Sequence, residues 1–131
     1  MTMTEPSDDR VAARIATFQD MTKKFPDQPL PWFSLGQTLV DAGRNEEAVP
    51  PLRRLLELDP DHGVGHLTLA LALRALGRKE EARQRLLIGY EVARKRGEII
   101  PARKMKNQLL SLCTEMGLDP PELNPLGPQK P

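Results

Sequence analysis

Residues 32–60 read WFSLGQTLVDAGRNEEAVPPLRRLLELDP, and residues 66–94 read HLTLALALRALGRKEEARQRLLIGYEVAR. Laid one over the other, they pair Leu35 with Leu69, Leu39 with Leu73, Gly43 with Gly77 and Arg44 with Arg78. The pairing continues with Glu46 and Glu80, Glu47 and Glu81, Ala48 and Ala82, Leu52 and Leu86, and Glu57 and Glu91. Every pair is 34 residues apart. A fixed period of this length marks a stacked repeat whose unit is one supersecondary element. Inside each unit the apolar residues recur at helical spacing and a glycine splits the run, so the unit is a pair of helices.

The same reading extends outward. Val11, Ile15, Phe18, Met21 and Phe25 form one apolar stripe, with Ser7 as a cap, Asp8 and Asp9 at the positive end, and Pro26 as the stop. A second helix starts near Pro29 and closes at Gly43. A third is capped by Asn45 and ends before Pro60; Pro50 and Pro51 predict a distorted or delayed start. A fourth runs from about Val64 to Leu76, a fifth from Lys79 to Arg96, and a sixth from Ile99 to the stop at Gly117. No segment alternates with period two for long enough to make a strand. The expected fold is all-α with about six helices.

At 131 residues the chain is one domain long. Its net charge of +1 gives no global field that would draw nucleic acid or an anionic membrane. One cysteine, Cys113, excludes an intrachain disulfide and suits a reducing compartment. The acidic N-terminus lacks the basic start and apolar run of a signal peptide. The longest apolar stretch, Leu67 to Leu76, is too short for a membrane span. A cytoplasmic location is the expectation.

The repeat resembles the tetratricopeptide family. Its pattern falls on Trp32, Leu35, Gly36, Leu39, Ala48, Leu52 and Pro60, with leucine in place of both aromatics. The resemblance covers two whole repeats, 29–62 and 63–96, and its economical construction points to a small bacterial protein. It implies helical hairpins stacked as a short right-handed α-solenoid. Residues 1–7 are then a flexible N-terminus, 8–28 a capping helix, 97–117 a second capping helix and 118–131 a proline-rich flexible tail. Gly36 and Ala70 let the two helices of a hairpin approach, and Ala48 and Ala82 fit that contact. Gly43 and Gly77 take the left-handed conformation that ends each first helix. His66 departs from the pattern in replacing the tryptophan, and Arg94 replaces the terminal proline. Trp32 is expected to be buried between hairpin layers.

Arrays similar to this one use a concave groove, lined by the first helix of each hairpin, to hold peptide or protein segments. On that basis the groove comprises Leu30, Phe33, Gln37, Val40 and Asp41, then Val64, Leu67, Leu71 and Arg74, then Pro101, Met105 and Gln108. The Lys, Asn and Arg with which one branch of the family grips a terminal carboxylate are absent from the matching sites. An apolar trough suits the face of an amphipathic helix or an extended hydrophobic segment. The alternative is that these side chains are covered by a neighbouring helix of the same fold or by a second copy of the chain, making a homodimer.

A second feature is basic. Arg94, Lys95, Arg96, Arg103, Lys104 and Lys106 cluster at the junction of the last two helices, with Glu98 as the one opposing charge. An acidic partner would suit them, but solvated cations favoured at a helix end are the expected reading. No aromatic residues interleave them, which weighs against nucleic acid. His62 and His66 are four apart, yet His62 falls in a turn, so a packed or solvated pair is expected rather than a metal site. Cys113 lies beside an apolar stripe and reads as core. No phosphate loop, nucleophile elbow or acid–base pair is present. The expectation is a non-enzymatic adaptor that binds another protein and needs no cofactor.

Overall fold

The structure is a computed structural model that describes residues 6–126. The outermost parts of the expected N-terminus and tail, residues 1–5 and 127–131, lie outside it. Six helices follow one another: α1 (Pro6–Lys24), α2 (Pro29–Asp41), α3 (Asn45–Leu58), α4 (Gly63–Ala75), α5 (Lys79–Lys95) and α6 (Ile99–Met116). The described residues contain no strand.

Each first helix stops at the same device. Gly43 and Gly77 have φ of 75° and 78°, where a side chain would be strained. The next N–H reaches back to the first helix, from Arg44 to the Leu39 carbonyl at 2.8 Å and from Arg78 to the Leu73 carbonyl at 2.9 Å. This is the six-to-one closure of a Schellman cap.

Pro50 and Pro51 do not delay α3, which starts at Asn45 and runs through both. The prolines remove the donors that would reach the Glu46 and Glu47 carbonyls. Burial of Val49, Pro51 and Leu52 on the inner face holds the helix in place of those bonds. Arg44, not Asn45, is the residue before the first turn, and no side chain caps it.

Packing follows the hairpins. α2 lies on α3 and α4 on α5, while α1 covers α2 and α6 covers α5. A Cβ on Gly36 would fall 2.4 Å from Leu52 Cδ2, so the first hairpin is as tight as glycine allows. Leu35, Leu39, Ala48 and Leu52 are buried there, and Leu69, Ala70, Leu73, Ala82 and Leu86 repeat the contact in the second hairpin. α1 contributes Ile15, with Val11 and Phe18 at its edge, but Phe25 is exposed rather than part of the stripe.

Trp32 is only partly buried, at the rim of the core. Its indole Nε1 donates to the Pro26 carbonyl at 2.9 Å. One period later His66 does the same: its Nε2 lies 2.7 Å from the Pro60 carbonyl. A carbonyl only accepts, so this nitrogen carries the proton. The histidine thus replaces the tryptophan's tie to the preceding repeat while filling less space. His66 is buried, and its Nδ1 has no partner among the described residues. Gly89 makes the matching concession from α5, because a Cβ there would lie 2.5 Å from His66 Cβ and 2.6 Å from Met105 Sδ.

Two outcomes follow from this three-helix contact. Gly89→Ala should gain about 1 kcal/mol of helix propensity but lose about 1–3 kcal/mol to overpacking. A lower midpoint in urea denaturation would register the net loss, and a raised one would mean the contact is slack. The second concerns acid. Burial, assisted by Arg85 and His62, pulls the His66 pKa below its ordinary 6.5; the Pro60 carbonyl and Asp61 oppose this more weakly. The unfolded chain therefore takes up the proton first. Stability is complete above about pH 6.5 and declines as the pH falls below it. His66→Phe should flatten that decline in melting curves taken between about pH 7.5 and 5.5, even if it lowers the melting temperature throughout.

Candidate partner-binding groove

The first helices α2, α4 and α6 pack side by side. The second helices α3 and α5 meet only through long side chains, such as Arg53 Nη2 and Glu81 Oε2 at 2.7 Å. The closer row is the inner side of the bend, so the first helices line the concave face.

Residues proposed for the groove divide into three groups on this face. Met105 and Leu67 belong to the core, at 0% and 8% exposed, and are not available to a partner. Met105 is drawn inward by the gap at Gly89. Gln37, Arg74 and Gln108 are tied into the stack. Thr68 Oγ1 donates to Gln37 Oε1 at 2.9 Å, joining α4 to α2, and Gln37 Nε2 donates to Asp41 Oδ1 at 2.8 Å. Arg74 Nη1 donates to Gln108 Oε1 at 2.6 Å, and Arg74 Nη2 to Ser111 Oγ at 2.9 Å and to Glu115, joining α4 to α6. The Arg74 contact holds the Glu115 carboxyl below the usual carboxylate range.

The third group keeps apolar surface. Leu30 is 67% exposed, and Phe33, Val40, Val64, Leu71 and Pro101 are partly exposed. Leu30 and Val64 are one period apart on successive first helices. Phe33 reaches across to His62, with ring centroids 4.7 Å apart. His62 accepts the Gly65 N–H on Nδ1 at 2.8 Å and so caps α4. The two histidines therefore have separate structural contacts, and the described residues hold no cluster of three metal-ligating side chains.

The basic residues do not form one patch. Arg94 has a side chain only 9% exposed and clasps Glu91 through Nε at 3.0 Å and Nη2 at 2.5 Å. That clasp, helped by Asn124, lowers the Glu91 pKa to about 2. Lys95 also faces Glu91, at 4.0 Å, and Arg96 Nη1 donates to the Asp61 carbonyl at 2.9 Å. Glu91, and not Glu98 alone, is thus the opposing charge. Arg103, Lys104 and Lys106 are exposed and make no ion pair among the described residues.

Sequence reasoning missed the tail. Residues 118–126 have no regular secondary structure, but they are docked rather than free. Leu123 and Leu126 pack against the core, and Tyr90 donates its hydroxyl to the Asn124 carbonyl at 2.5 Å. It also missed Thr68 and the polar ties. A signal for one of them was present, since Gln108 lies one period after Arg74.

No described helix is long and apolar enough to cross a membrane. Residues 39–95 match the family described as tetratricopeptide repeat. A peroxisomal targeting signal receptor of Candida glabrata is 29% identical over 105 residues, which is 80% of this chain but only 18% of that protein. Tetratricopeptide repeats are scaffolds for protein–protein interaction. The stacked helical hairpins and the 34-residue period agree with this match, and residues 39–95 have the tetratricopeptide-repeat fold.

Proposed function

We propose that this protein is a non-enzymatic adaptor whose concave face holds a hydrophobic or amphipathic segment of another protein. The observation that carries this reading is the run of apolar side chains left accessible on successive first helices: Leu30 and Phe33 on α2, Val64 and Leu71 on α4, and Pro101 on α6. The polar ties support it. By locking α2 to α4 and α4 to α6, they fix the spacing of the apolar side chains before a ligand arrives, which lowers the ordering cost of binding. The similarity to a receptor for a targeting signal agrees with a ligand that is a short protein segment.

Leu30 and Leu71 are the places to test. Burying each against a partner would contribute up to about 1.5–3 kcal/mol. The double substitution Leu30→Glu and Leu71→Glu should therefore weaken binding by about a hundredfold or more, because a carboxylate facing an apolar partner is neither hydrated nor paired. Neither side chain is enclosed in the core, so the circular dichroism spectrum should remain that of the wild type. A pull-down comparing the two proteins, followed by titration calorimetry with the recovered partner, measures the loss. Full affinity in a folded double mutant would place the site elsewhere. Light scattering that gives a dimer for the wild type and a monomer for the mutant would make the occupant a second copy.

A further inference from the structure

The 34-residue register extends into α6, and there it changes character. Trp32, Leu35, Gly36 and Leu39 of α2 face α3, and His66, Leu69, Ala70 and Leu73 of α4 face α5. The next positions in register are Ile100, Arg103, Lys104 and Asn107. Their spacing puts them on one helical face, and Leu110 continues it. In α4 the four positions are at most 2% exposed. In α6 Ile100 is 69% exposed, Leu110 is 38% exposed, and Arg103, Lys104 and Asn107 are exposed between them. The docked tail leaves this stripe uncovered.

We infer that this face of α6 is a second docking surface, distinct from the concave groove, and that it receives an acidic amphipathic helix from a partner protein. Such a helix would take the place that a second helix holds in each complete hairpin. Charge complementarity specifies its chemistry. Arg103 and Lys104, with Lys106 beside them, have no carboxylate within ion-pair distance among the described residues. Lys104 also stands where the hairpins have Gly36 and Ala70, so a helix cannot approach closely and must meet long cations with long anions. Ile100 and Leu110 bracket the charges, about 15 Å apart along the helix axis. The fitting partner therefore has glutamates or aspartates between two apolar residues about three turns apart on one face.

The test uses a synthetic helix-forming peptide with that pattern, two leucines bracketing glutamates, and a control in which lysines replace the glutamates. Fluorescence anisotropy should detect binding of the glutamate peptide to the full chain and none of the control. Arg103→Glu with Lys104→Glu should weaken the glutamate peptide by about tenfold or more and create binding of the lysine peptide. Both residues are exposed, so the variant should fold, as circular dichroism would verify. Phe33→Glu should leave the interaction unchanged. Failure of the glutamate peptide to bind, or equal binding of both peptides, overturns the inference. Loss of binding in Phe33→Glu but not in the charge swap returns the site to the groove. Binding of a single-stranded oligonucleotide instead of the peptide, weakening steeply with salt, overturns it in favour of nucleic acid.

Discussion

Close contact between the two helices of a hairpin is the constraint on which the structure depends. It requires a small residue on the first helix where a leucine of the second presses in, as Leu52 does on Gly36. A helical hairpin cannot bury its apolar face alone, so each contact obliges the next unit to stack on it. At Lys104, in register with Gly36 and Ala70, the small residue becomes a long cation, and among the described residues no second helix packs on that face of α6.

Most of the fold was legible because it is written in spacing. The period located the hairpins, and Gly43 and Gly77 located their turns. Depth was harder to read. Leu67, Leu71 and Met105 look alike in sequence, and their burial is decided by neighbours from other helices. Met105 is enclosed because Gly89 leaves a gap opposite it. Trp32 went the other way: it occupies the pattern's leading position but sits at the rim of the core, tied by its indole N–H to the Pro26 carbonyl. Pro50 and Pro51 misled for a related reason, as local propensity yielded to burial of the helix face. The tail has proline-rich composition, which describes an unattached chain well but says nothing of the Leu123, Leu126 and Asn124 contacts that attach it.

The concave face is not a uniform trough. Its polar residues are spent on holding the first helices to one another, and its apolar residues remain at the edges and between the ties. Arg74 is the centre of this arrangement, reaching Gln108, Ser111 and Glu115 on one neighbouring helix. A surface braced in this way presents fixed apolar points instead of adaptable ones. For the segment proposed to bind there, that favours side chains that are themselves regularly spaced.

The chain has one tryptophan and one tyrosine, and the structure puts them to different ends of the molecule. Trp32 is tied to the turn after α1, and Tyr90 to the docked tail. Stacked repeats need not lose their structure all at once, since each unit contacts only its neighbours. The two rings are therefore natural optical reporters for opposite halves. Indole emission follows the first hairpin, and phenol absorbance follows the last. Loosening at one end can be watched without labels and without disturbing the other.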